Sequence, residues 1–135
     1  MSELAVAVSY VDLSDYLLVA EAVLGAKAEV LAKAAQLHLA ESALNAPAAE
    51  FGGVEFYPDF SKKAAVLCAR LVKNHALPDG NKRTAYICLR EFVERNGHSW
   101  FAPQEDPDET VRVIEGIAAG DVSEDEFAGW VAERN

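Results

Sequence analysis

The chain of 135 residues has the length of one domain, and its 51% hydrophobic content is enough to bury a core without disulfides or a structural metal. Twelve Lys and Arg stand against 22 Asp and Glu, a net charge of −10 that excludes a surface broadly adapted to nucleic acid, because phosphate contacts need basic residues. There is no apolar run long enough to span a membrane, and the opening Met1-Ser-Glu-Leu-Ala5 lacks the basic segment of a secretory signal, so a soluble cytoplasmic protein is expected.

In chain order the pattern is almost wholly helical. Apolar residues at Leu17, Leu18, Ala20, Val23 and Leu24 predict a helix from about Ser14 to Leu24, closed by Gly25. A second, Ala-rich helix is expected to run on to about Leu44, with Pro47 beyond it. The stretch Phe51-Gly-Gly-Val-Glu-Phe-Tyr-Pro58 sets paired glycines among aromatic and β-branched residues, which predicts a turn or short hairpin. A helix fits Ser61 to His75, with Ala64, Leu67, Cys68, Leu71 and Val72 as its apolar stripe and His75 continuing that face.

After the turn Pro78-Asp-Gly80, the next helix should run from near Asn81 to about Asn96, burying Ala85, Cys88, Leu89, Phe92 and Val93, with Gly97 at its left-handed end. Asp106 is expected to cap a helix from Pro107 to Ala119, with Gly120 past its end. Ser123-Glu-Asp-Glu126 reads as the capping box of the last helix. Cys68 and Cys88 fall inside apolar patterns and read as free core thiols. No repeat or linker divides the chain, so residues 1–135 are expected to form one all-α domain with a β-like excursion before its central helices.

Charge is unevenly spread. Between positions 62 and 90 stand Lys62, Lys63, Arg70, Lys73, Lys82, Arg83 and Arg90 against the single carboxylate of Asp79, a net +6 that leaves −16 on the remainder. Such a local field in an acidic protein suits a small anion or an acidic partner segment. The segment His75-Ala-Leu-Pro-Asp-Gly-Asn-Lys-Arg83 concentrates the chemistry. A helix start leaves backbone N–H groups unpaired and partly positive, and Gly80 lets an anion approach them closely. Lys82 and Arg83 add full charges, Asp79 is a carboxylate suited to Mg²⁺ on phosphate oxygens, and His75 can accept a proton from a hydroxyl. Singly each residue has a plainer explanation: a core histidine, a common turn, solvated cations. Together, within nine residues, they point to phosphoryl or nucleotidyl transfer.

The run His75-x-x-x-Asp-Gly-Asn-Lys-Arg-Thr-Ala85 resembles the Fic/Doc superfamily, and most of all its Doc (death-on-curing) branch of toxins from toxin–antitoxin systems. Glu41-Ser-Ala-Leu44, the Phe51–Pro58 segment, Lys63-Ala-Ala65 and the C-terminal Ile117-Ala-Ala-Gly-Asp-Val-Ser-Glu-Asp-Glu126 are similar too, so the likeness covers nearly the whole chain, more weakly before about residue 35. It implies a compact Fic-fold helical bundle, ATP and Mg²⁺, His75 as general base and Asp79 as metal ligand. It further implies Gly80, Asn81 and Lys82 as an anion cradle, Arg83 on phosphates, and Gly53, Val54, Glu55 and Phe56 as a flap that docks the target. A partner antitoxin of the Phd type and a target like elongation factor Tu are implied as well, with no direct contact to nucleic acid.

Fic enzymes that transfer AMP carry Gly where Lys82 stands and a second Arg where Tyr86 stands. Doc-type proteins share the lysine, which implies an inverted nucleotide presenting its γ-phosphate and hence a kinase. Adenylyl transfer stays as the alternative, and a catalytically silent module that binds an antitoxin is the alternative from another class. Ala76 and Leu77 replace the usual Pro and Phe. The inhibitory (Ser/Thr)-x-x-x-Glu-(Gly/Asn) pattern is absent, because Thr110 and Glu115 are one residue out of register, so inhibition is expected from a separate partner.

Overall fold

The computed structural model describes residues 7–135, and the N-terminal residues read above for a signal lie outside that range. The described residues form seven α-helices, one two-stranded hairpin and a single 3-10 turn (Ala46–Ala48) before the hairpin: α1 (Leu13–Leu24), α2 (Ala28–Ala34), α3 (Leu37–Asn45), β1 (Glu50–Phe51), β2 (Val54–Glu55), α4 (Phe60–Asn74), α5 (Asn81–Arg95), α6 (Glu109–Ala119) and α7 (Glu124–Ala132). The class is all-α, and the hairpin stands just before the central helix.

Helix α4 is that centre. Residues 63–69 are buried without interruption, so α4 presents no solvent face through its middle and packs against α3, α5, α6 and α7. A helix apolar all round must be enclosed, and these neighbours enclose it. Helix α5 buries Ala85, Cys88, Leu89, Phe92 and Val93 against it, the stripe expected from the sequence. Phe92 stacks on Phe60 at 4.9 Å and on Tyr10 at 5.9 Å, joining α5 to the start of α4 and to the chain before α1. Both cysteines are free and fully buried, and burial pushes both thiols up, that of Cys88 to about 12, which keeps them protonated and inert.

Local signals set several ends as expected. Ser123 and Glu126 form the expected capping box on α7, and Asp12 and Asp15 form a second one, not foreseen, that starts α1. Gly52 and Gly53 both have positive φ (60° and 81°), which a two-residue turn between right-twisted strands requires. Glu50 pairs with Glu55 and Phe51 with Val54, so the expected turn is a true hairpin.

Three expectations need correction. The Ala-rich segment is two helices, broken at Ala35 and Gln36, because the freed N–H of Gln36 donates to the Ala76 carbonyl at 2.8 Å. Helix α6 begins at Glu109, because Asp106 spends its carboxylate on the Asp108 N–H in a preceding turn. Helix α4 ends at Asn74, so His75 is not on its inner face.

Candidate active site

The segment between α4 and α5 is held from three sides. The Asn74 side chain donates to the Leu39 carbonyl at 3.0 Å, and the Gln36 amide fixes Ala76. Asn81 closes the loop on itself: its Oδ1 accepts from the Leu77 N–H at 3.0 Å and its Nδ2 donates to the Leu77 carbonyl at 2.8 Å. Ala76 and Leu77 are buried, so the smaller residues here still anchor the loop in the core. The side chain of Asn81 is therefore committed to the loop, and what it can offer an anion is its backbone N–H.

His75 is the C-cap that follows α4, with φ 51° and ψ 51°, the one non-glycine residue of positive φ among the described residues. That left-handed turn takes its side chain off the buried face of α4 and out to solvent, where it lines a cavity of about 1130 Å³. A β-carbon in this region costs energy, and such strain gathers at functional positions. Gly80 is left-handed too, with φ 73°. A Cβ there would stand 2.7 Å from Leu24 Cδ2, so glycine lets the last turn of α1 close against the start of α5.

Gly80 is the N-cap of α5 and supplies no side chain to it, unlike Asp59 on α4 and Ser123 on α7. The first N–H of α5 to find an acceptor on Gly80 is that of Thr84. The amides of Asn81, Lys82 and Arg83 thus have no acceptor among the described residues and form the partly positive end of a fifteen-residue helix. Lys82 and Arg83 are exposed and form no ion pair among the described residues. Of the other cations in the basic window, Lys62 pairs with Asp125, Arg70 with Glu124 and Arg90 with Glu94. The basic field therefore contracts to Lys73, Lys82 and Arg83, all on the cavity wall with His75, Asp79 and Gly80.

Lys63 is not the solvated cation that a helix face would make it. It is buried, with Nζ 3.0 Å from the Pro47 carbonyl, 2.9 Å from Glu55 Oε1 and 5.6 Å from the centre of the Tyr10 ring. Burial works against its charge, but Glu55 and Tyr10 outweigh that and hold the ammonium above its usual range. Its partners are remote in sequence, and no local signal names them. The lysine ties the hairpin to α4.

The site residues named from the sequence fall into two groups. His75, Asp79, Gly80, Asn81, Lys82 and Arg83 share the cavity, whereas Gly53, Val54, Glu55 and Phe56 are exposed on the hairpin and do not line it. Beside the hairpin turn, Phe51, Val54 and Phe56 leave apolar side chains in solvent. The structure adds wall residues that periodicity could not supply: Val23 and Leu24 from α1, Tyr86 from α5, and Thr110, Ile114 and Glu115 from α6. The cavity thus runs from a cationic end at α5 to an apolar wall, the polarity a nucleotide needs. No group of three or more potential metal ligands occurs among the described residues. Asp79 is an exposed carboxylate on the cavity wall with the cations, which fits Mg²⁺ shared with ligand phosphates rather than caged by protein.

The model of the Fic/DOC family matches residues 10–93, from the chain before α1 to the last turns of α5. A curated relative named Toxin Doc, from Mycolicibacterium smegmatis, is 37% identical over 94 residues, which cover 70% of this chain and 72% of the relative.

Proposed function

The chain belongs to the Fic/DOC family, and from that premise we propose that it is the toxin of a toxin–antitoxin pair. In this reading it transfers the γ-phosphoryl group of ATP to a hydroxyl of a translation factor like elongation factor Tu, and a Phd-like antitoxin restrains it. One observation carries the reading: the imidazole of His75, the Asp79 carboxylate, the unpaired α5 amides and the cations Lys82 and Arg83 all face one cavity.

The roles follow from the chemistry of each group. The imidazole of His75 takes the proton of the attacking hydroxyl, and its exposure leaves that hydroxyl free to enter from solvent. The free α5 amides and the Lys82 and Arg83 side chains hold phosphate oxygens and balance the charge that builds on them. Asp79 would hold Mg²⁺, which supplies charge neutralisation across neighbouring phosphates when bound. Lys82 fills the place where a small residue would leave room for a diphosphate, and this favours presentation of the γ-phosphate. The hairpin offers Gly53, Val54, Glu55 and Phe56, with an open strand edge, to an extended segment of the target.

Paired labelling tests the proposal. A lysate receives the purified chain with either γ-labelled or α-labelled ATP, and labelled protein is read on a gel. The expected result is one γ-labelled band that is missing with His75→Ala. An α-labelled band replaces the kinase by an adenylyltransferase. No band from either label, with no growth arrest on expression without a partner, leaves a silent binding module.

A further inference from the structure

Tyr86 lies one turn beyond Lys82 and Arg83 on α5 and lines the same cavity. Its phenolic oxygen accepts a hydrogen bond of 2.9 Å from Trp100 Nε1. An indole N–H can only donate, so chemistry fixes the direction of this bond and leaves the Tyr86 proton for another acceptor. Among the described residues that proton has none. Trp100 is itself held in place. It meets Tyr86 edge-on at 6.1 Å and Trp130 at 5.7 Å. Trp130 stacks on Phe127, lies 4.7 Å from the Arg134 guanidinium and donates to Glu109 at 2.9 Å. A half-buried hydroxyl whose oxygen is engaged and whose proton is unspent is prepared for an acceptor from outside the protein. The cations one turn away favour an anionic oxygen as that acceptor.

We propose that Tyr86 is a phosphate-binding residue, whose O–H donates to the bound polyphosphate chain beyond the oxygen held by Lys82, and that Trp100 positions it. A helical turn rises about 5.4 Å, farther than a single phosphate reaches, so Lys82 and Tyr86 together suit a triphosphate rather than orthophosphate. The inference rests on the reading of the cavity as a nucleoside triphosphate site and adds an uncharged donor outside the nonapeptide.

Calorimetric titration of the full chain with inorganic triphosphate and with ATP, both with Mg²⁺, tests it, and the stoichiometry reports the folded fraction of each variant. Tyr86→Phe should weaken both ligands by the same factor, about tenfold. Trp100→Phe should weaken them less, and should add nothing in the Tyr86→Phe background, whereas a merely structural tryptophan would cost the same in both. Wild-type affinity for triphosphate in Tyr86→Phe would overturn the proposal. So would a loss confined to ATP, which would assign Tyr86 to the nucleoside, and an undiminished Trp100 effect in the double variant would remove its positioning role. If the wild-type chain binds neither ligand, the nucleotide reading of the cavity fails first and takes this inference with it.

Discussion

Lys63 Nζ lies 2.9 Å from Glu55 Oε1, so the hairpin that carries the exposed apolar side chains is tied to the helix that His75 follows as its C-cap. The two ends of the tie differ, since the lysine side chain is 2% exposed and that of the glutamate 43%. Lys63→Met should cost about 2 kcal/mol, mostly by orphaning the Pro47 carbonyl, while Glu55→Gln should cost under about 1 kcal/mol because solvent screens that end. Urea unfolding of the two variants measures the difference. In the surviving folded fraction, protein labelling should fall in both while triphosphate affinity holds, because the hairpin is outside the cavity.

His75 combines the proposed chemistry with an unfavourable backbone. His75→Gly should abolish transfer and yet raise stability by up to about 1 kcal/mol, since glycine accepts the left-handed turn without a β-carbon. His75→Ala should abolish transfer with no such gain. A melting curve beside a labelling assay separates the pair, and an unchanged or lower melting temperature for His75→Gly would deny the strain.

Gly80 has the opposite character. Gly80→Ala puts a methyl 2.7 Å from Leu24 Cδ2 on a backbone of φ 73°. The Leu24 tip can move aside, so most of the cost is backbone strain, about 1–2 kcal/mol. Triphosphate affinity should drop as well, because the same methyl tilts the amides that follow. Chemical denaturation and calorimetry read the two effects separately.

Lys82→Gly tests which way round the nucleotide lies. If the bulk and charge of the lysine set that direction, the variant should lose γ-transfer and gain α-transfer in the paired labelling assay. Unchanged γ-transfer would shift the determinant to Tyr86.

Asp15 gives the acid limb of stability a specific origin. The Arg95 guanidinium at 3.0 Å, helped by the Asp12 N–H, holds its carboxyl below the usual carboxylate range. A depressed folded pKa means that this stabilisation is complete above about pH 4 and drains away as pH falls through the folded value. Asp15→Asn should lower the urea midpoint near neutrality and flatten its fall below about pH 4. Parallel curves for variant and wild type would refute the assignment.

Where structure depends on neighbours in sequence, the sequence is legible. The apolar stripe of α5, the capping box of α7 and the twin glycines of the hairpin need only residues a few positions apart, and each is found as expected. Two of the features missed depend on partners in other segments. Nothing local breaks the Ala-rich helix at Ala35; a carbonyl forty residues away does. Lys63 looks like any helix-face lysine until Pro47 and Glu55 close on it. His75 continues an i, i+4 row that the left-handed turn at the helix end interrupts. For the site, the nonapeptide named the cationic end of the cavity, but the walls from α1 and α6 arrive through packing alone.

The hydrogen bond from Gln36 to Ala76 also bears on portability. A fragment cut to α4 and α5 would contain every residue of the nonapeptide, yet it would lack the Gln36 donor, the Leu39 carbonyl that receives Asn74 and the Leu24 side chain behind Gly80. The motif is contiguous as text and composite as an object. Grafting it into another scaffold would transplant the reacting groups without the frame that holds them, and the smallest transferable unit begins no later than α1.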